Sequence, residues 1–421
     1  MQKYAKFIFW LIAVCLWQDS QSASAAKNAS GRLPKEIQIT VKNNSPLART
    51  DALITIDLQK IKKVDFTNQA FEILSTGKEL ALQTYDDNQD GRAEQILSVA
   101  DFAPFETKIL VLRTTTSGIQ PQPYTKRTQA ELAHKIGGKF VEHKYAGGVF
   151  QNVPSLRVPA EHTDHSTFIR YEGPGWESDK VGYRFYLDWR NAIDIFGKKT
   201  TAMVLQNVGL DGFESYHQMS DWGMDILKVG ESLGIGTLAM WQDGQAHRIA
   251  KTDSVVCTIT ANGVVFSQIR TKYFGWKMAS SSYNVVSDLS ITAGSRLTKQ
   301  AVTISAAPQN LCTGIVKLEN TQTISAVATD SGWVYFATYG KQSLADDNLG
   351  MAILYQKNNL IELTEDSLSH VVVLKPQNGR LTYYFLAAWE QELAGIKTAA
   401  AFRDYLNQTV AELNSPLIIK Y

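Results

Sequence analysis

The chain has 421 residues, 44% of them apolar and 20% charged, with a formal net charge of +1. This is the composition of a globular protein, and it lacks the strong basic excess on which nucleic-acid binding depends. The length suits two or three domains, and beyond the N-terminus no apolar run reaches the roughly 18–20 residues that a spanning helix needs.

The first element is a leader. Lys3 and Lys6 precede the apolar run "FIFWLIAVCLW", and a polar segment ends in an A-x-A site at Ala23-Ser24-Ala25. Charged region, apolar region and small-residue site, in that order, mark a secretory signal peptide over residues 1–25, cleaved near Ala25. Bulky Val14 and the continuing run Leu16-Trp17 disfavour a lipoprotein site at Cys15. The expected destination is the periplasm or the exterior. An oxidising compartment permits a bridge between the remaining cysteines, Cys257 and Cys312, and two buried free thiols are the other reading.

From Glu36 the sequence is strand-like. "EIQITVKN", "ALITIDL", "FEILS" and "KILVLRT" are β-rich runs between turn residues, which predicts a small β-sandwich over 34–115. Within it, "DDNQDG" (Asp86–Gly91) matches the first half of a calcium loop, but Leu97 stands where the bidentate acid belongs. The same residues make a hairpin turn. Residues 116–127, with two prolines, read as a linker. Thr128 and Glu131 have capping-box spacing ahead of Gly137-Gly138, which predicts a short helix.

Beyond Lys139 long alternating runs dominate: "GVVFSQIRTKYFGW", "SDLSITAGSRLTKQAVTIS", "SGWVYFATYG", "LGMAILYQK" and "RLTYYFLAAWE". They predict a mainly β architecture built as a large antiparallel sandwich. One helix near the C-terminus follows from Phe402, Tyr405/Leu406, Thr409/Val410 and Leu413 at helical spacing, stopped by Asn414-Ser415-Pro416.

The chemistry gathers in the middle of the chain. His143, His162, His165, His217 and His247 lie within 105 residues, together with Trp176, Trp189, Trp222 and Trp241. "EHTDHS" offers His162, Asp164 and His165, which suit substrate hydrogen bonds. They also suit a divalent metal, the one cofactor left open. Next comes "FIRYEGPGWESDKVGYRFYLDWRN", crowded with rings, acids and bases. Its "VGYRFYLDWR" alternates, with Tyr183, Phe185, Leu187 and Trp189 on one face. Arg184, Tyr186, Asp188 and Arg190 form a charged row on the other. Such a row fits an acidic sugar, because arginine pairs bidentately with carboxylate. A half-buried strand with a solvated face explains the same alternation. "YHQMSDWGMDILKVGESLGIG" then offers Tyr216, His217, Asp221, Trp222 and Asp225, with His217 the preferred acid/base because imidazole titrates near neutrality.

The stretches "PAEHTDHSTFIRYEGPGWESDKVGYRFYLDWRNAIDIFGKKT" and "YHQMSDWGMDILKVGESLGIG" resemble a family of secreted bacterial proteins of largely unassigned function. Its members tend to be encoded among pectin- and other polysaccharide-degrading enzymes. The resemblance implies a galactose-mutarotase-like β-supersandwich over 128–421, with a few short helices, behind the small β-domain, and a carbohydrate ligand. It transfers no catalytic residues.

The expected function is therefore an exported lyase or hydrolase acting on uronic-acid-containing, pectin-type oligosaccharides. For elimination, His217 or Tyr216 is the base and Arg184 and Arg190 hold the carboxylate. Trp176 and Trp222 are stacking platforms, and His162, His165, Tyr186, Asp188 and Asp225 complete the binding set. For hydrolysis, Glu177 and Asp221 are the carboxylate pair. A non-catalytic carbohydrate-binding protein and a mutarotase or epimerase are the alternatives.

Overall fold

The computed structural model describes residues 36–61, 70–115, 124–326 and 331–421. The leader read over 1–25 and most of the linker read over 116–127 lie outside them.

The protein is mainly β, its sheets antiparallel. Near the N-terminus, Glu36–Lys42 pairs with Thr107–Thr115, which pairs with Ala70–Ser75. A three-stranded sheet of Arg49–Asp57, Gln95–Phe102 and Leu82–Tyr85 closes over it. Alternation sends Ile39, Val41, Ile54, Ile56, Ile73, Ile96 and Leu110 into the shared core, all fully buried. The last strand of the chain, Ile418–Lys420, returns to pair with Glu36–Lys42, so the first sheet is completed by the far C-terminus. Arg127 also ties this part to the rest, pairing with Asp51 at 2.7 Å and Asp179 at 2.6 Å.

A nine-stranded sheet dominates the remainder, running from Ser155–Arg157 at one edge to Thr321–Ser325 at the other. Two five-stranded sheets pack on it. One contains Thr128–Glu131, Gly175–Ser178, Val181–Phe185, Ile193–Lys198 and Gly223–Asp225. The other is centred on Leu311–Val316. All three share one apolar core that includes Trp176, Tyr183, Trp276, Phe385 and Trp389. Stacked sheets of this kind are how period-two sequences bury one face of every strand.

The C-terminal helix spans Ala399–Asn414, capped by Thr398 at its start. Phe402 and Leu406, one turn apart, are its buried anchors against Tyr339, Ala352 and Leu386. Among the described residues no helix is long and apolar enough to cross a membrane.

Two local expectations are corrected. The helix expected from Thr128 is instead a strand, Thr128–Glu131, followed by the hairpin Ala133–Val141 and Lys144–Asn152. Capping-box spacing lost to tertiary pairing, because all four residues of the first strand are buried against Gly175–Ser178. Glu142 and His143, both at positive φ, make the two-residue hairpin turn. Cys257 and Cys312 are free, buried thiols in different sheets, so the bridge is not formed. At "DDNQDG" the Asp86 carboxylate accepts the Gly91 and Asp90 N–H groups, closing the hairpin between Leu82–Tyr85 and Gln95–Phe102.

Gly223 fixes the approach to the candidate site. Its φ is +131°, and a Cβ there would lie 1.8 Å from the Gly197 carbonyl oxygen. Gly223→Ala combines a forbidden backbone angle with a clash against backbone, so a loss of about 1–3 kcal/mol is expected. A urea midpoint equal to the wild type would show that the strand can shift to accommodate it.

Candidate functional site

The strand read as "VGYRFYLDWR" ends at Phe185, and Asp188–Asn191 is a turn rather than a continuation. The charged row is therefore not a floor on one face of a sheet. Its members instead become the centre of a buried ionic network.

Arg184 comes up from Val181–Phe185 and meets two carboxylates from neighbouring strands, Asp194 at 2.7 Å and Asp225 at 2.5 Å. It also donates to the Tyr216 hydroxyl at 2.8 Å. Tyr186 donates to Asp194 at 2.6 Å, and its ring lies between the two guanidiniums, 4.9 Å from Arg184 and 3.9 Å from Arg190. Arg190 in turn holds Asp188 at 2.5 Å, Glu172 at 2.9 Å and Asp164 at 2.9 Å. Two arginines thus carry five carboxylates, and the network has surplus negative charge.

It reaches solvent at two imidazoles. His217 Nε2 sits 3.2 Å from Asp225, with the histidine side chain 44% exposed and the aspartate buried. At the other end His165 Nδ1 lies 2.5 Å from Asp164 and its ring packs edge-on against Phe213. The connecting loop is strained: His165, Thr167, Tyr171 and Glu172 all have positive φ. Each such residue costs on the order of 1–3 kcal/mol, and such strain clusters at functional sites.

The electrostatics follow from this arrangement. The hydrogen bond to Asp225 raises the His217 pKa. Burial raises Asp194 to about 6, with Asp225 pushing the same way against Arg184. Burial would raise Glu172 too, but Arg190 and Arg184 bring it down to about 2. Asp164, the most exposed carboxylate of the five, is raised by partial desolvation against the pull of Arg190. Two carboxylates in contact with opposite displacements are the pattern of acid/base sites.

Several expected roles are corrected. Arg184 and Arg190 are saturated by protein carboxylates and have no free edge for a substrate carboxylate. Tyr216 is buried and pushed up to about 12 by burial, so it stays protonated and is no base. Trp176 is 1% exposed, stacked on Tyr183 and donating to Thr298, which makes it core and not a platform. Glu177 is fully buried on Lys198 at 2.5 Å and accepts the Val204 and Leu205 N–H groups. It does not pair with Asp221, which is exposed and outside the network. Trp222 is half-buried against Phe196. His162 is buried on Ser166 at 2.8 Å, its pKa lowered by desolvation. Asp164, His165 and Glu172 place one donor atom each within 4.8 Å of one another, a donor set a divalent ion accepts. Arg190 already supplies that cluster with a positive charge.

The sequence reading left out Asp194, Glu172 and Trp189 as site residues, and it took Asp164 for a substrate or metal contact rather than a partner of Arg190. Asp194 did carry a signal, an acid inside the apolar run "AIDIF". Trp189, assigned to the core face, is 43% exposed. It lines a cavity of about 970 Å³ together with His162, Asp188, Arg157 and Lys251.

One protein-family model, described as "Domain of unknown function (DUF4861)", matches residues 41–419. No curated protein matches the sequence. Two solved structures from Enterococcus faecalis are similar over 91% of this chain. One is a protein in glycosyl hydrolase family 38, with a TM-score of 0.45 at 11% identity over 47% of its own length. The other is an alpha-mannosidase, with a TM-score of 0.45 at 10% identity over 46% of its length. The chain thus spans about half the length of either.

Proposed function

The chain belongs to this family of unknown function, and from its site we propose that it is an exported carbohydrate-active enzyme, a glycoside hydrolase acting on uronic-acid-containing oligosaccharides. The leader read in the sequence supports export. The observation that carries the reaction type is the surplus of carboxylates around Arg184 and Arg190. Glycosidic cleavage passes through an oxocarbenium-like, positively charged transition state, which surplus negative charge stabilises. β-Elimination develops an enolate-like anion instead, which needs free cations that this network does not offer.

In this scheme His217, kept protonated towards neutrality by Asp225, donates a proton to the leaving oxygen. Asp164, the accessible carboxylate, takes the proton of the attacking water. Glu172 stays ionised and holds the local field negative. Both proton-transfer groups are displaced upwards, so the profile of kcat/KM against pH should be bell-shaped. Its basic limb should lie above ~6.5 and its acidic limb above ~3.9, the ordinary values for histidine and aspartate. Activity is lost on the acid side as Asp164 protonates, and on the basic side as His217 deprotonates. A profile flat through neutrality would remove His217 from the mechanism.

The deciding assay is mass spectrometry of pectin-derived oligosaccharides before and after incubation with the protein. Products that together gain one water per cleavage support hydrolysis. Products that sum to the parent mass, one carrying a double bond, would replace it with a lyase. An unchanged spectrum with measurable binding would leave a non-catalytic carbohydrate binder or a mutarotase or epimerase, which changes no mass.

A further inference from the structure

The most exposed tryptophan among the described residues is held by a rigid support. Trp189 occupies the second position of the turn Asp188–Asn191, closed by the Asn191 N–H on the Asp188 carbonyl at 3.1 Å. The Asp188 carboxylate accepts the Arg190 N–H at 2.9 Å and its guanidinium as well. Asn191 is pinned from below by the Tyr273 hydroxyl at 3.3 Å. Both ends of the turn are buried, while the indole between them stays 43% exposed. Leaving so large an apolar ring in water forfeits burial energy, and the fixed backbone prevents it from folding away.

The ring stands between two cavities, about 970 Å³ on one side and about 420 Å³ on the other. Trp189 and Lys251 line both, so the two cavities adjoin at these side chains. Arg157 lines the larger cavity and Arg248 the smaller, with the Arg248 guanidinium 5.7 Å from the indole centroid. None of Arg157, Arg248 and Lys251 has an ion-pair partner among the described residues. Lys277, in the smaller cavity, is paired with Asp253 at 3.0 Å. Glu161 and Asp243 are the unpaired acids on the cavity walls.

We infer that Trp189 is the platform of a subsite for a carboxylated sugar ring, adjoining the ionic network at Asp188. A pyranose lays its C–H face on an indole, which combines apolar area with a polar rim. The Arg157 guanidinium and the Lys251 ammonium, neither in an ion pair among the described residues, take the ring's carboxylate. The inference rests on the protein being carbohydrate-active, and it supplies what Arg184 and Arg190 cannot, a place for the uronate charge. Of the five network carboxylates only Asp188 lines the cavity, and Arg190 holds its charge at 2.5 Å.

The experiment is calorimetric titration with trigalacturonate and with its methyl-esterified, uncharged form. Trp189→Ala should weaken both by at least about tenfold, or ~1.4 kcal/mol. Lys251→Ala should weaken trigalacturonate and leave the ester unchanged, and added salt should act on the charged probe alone. Trp189 and Lys251 have exposed side chains, so both variants should fold. Wild-type binding that survives Trp189→Ala would overturn the subsite and leave the carbohydrate reading standing. Equal losses for both probes with Lys251→Ala would overturn its anionic specificity. Wild type that binds neither these nor neutral oligosaccharides would sink both.

Discussion

His217→Ala should lower kcat by about 10²–10⁴-fold, the usual contribution of a positioned acid or base, while leaving oligosaccharide binding intact. The histidine side chain is 44% exposed, and among the described residues its one ion-pair partner is Asp225. Its loss removes one ring contact, with Tyr216 at 4.7 Å, and strands no buried acid, because Asp225 keeps Arg184 at 2.5 Å. Stability should therefore stay within about 0.5 kcal/mol, as for other surface substitutions. The basic limb of the pH profile should vanish with the residue. Turnover that persists with an unchanged basic limb would identify His217 as a surface residue and return attention to Asp164 and His165, at the other end of the same network.

The second large effect is on stability. Arg184→Met should destabilise the protein by about 3–5 kcal/mol, the cost of breaking a buried ion pair by removing one partner. Arg184 is 3% exposed, and Asp194 and Asp225 are each 1% exposed, so neither acid can turn to water for compensation. The loss should depend on pH with a definite sign. Asp194 already has a raised folded pKa of about 6 with the arginine present, and burial is the leading cause. Without the guanidinium it rises further, so the variant binds protons more tightly folded than unfolded. Its deficit should be smallest at mildly acidic pH and grow as pH rises through neutrality. Denaturant midpoints of the variant and wild type across pH 5 to 8 measure this. A loss below about 1 kcal/mol, independent of pH, would mean that water reaches these carboxylates and that the network is not sealed.

These two residues illustrate where local sequence information stops. Arg184 stood out as a charged residue in an alternating stretch, yet its partners lie ten and forty-one positions away. Its chemical type was legible, and its saturation was not. The same holds for Glu177, whose carboxylate is spent on Lys198 twenty-one positions later.

The sequence by itself determined the mainly β architecture, because period-two alternation tells each strand which face to bury. It determined the C-terminal helix, because Phe402 and Leu406 recur at helical spacing between Thr398 and Ser415-Pro416. It also determined that histidines, acids, arginines and rings would concentrate between His143 and His247. Only the tertiary structure decided that Thr128–Glu131 is a strand, since burial against a neighbouring strand outweighs a capping pattern. Only it decided that Trp176, expected as a platform, is core, since Gly175–Ser178 is buried between two strands, and that Trp189 is displayed, since a turn at Asp188 ends the alternation that grouped it with Tyr183 and Phe185. Which carboxylates neutralise which guanidiniums was likewise settled by strand pairing across the sheet. Charge pairing depends on distances through space, and local pattern fixes only the side of a strand on which a charge emerges.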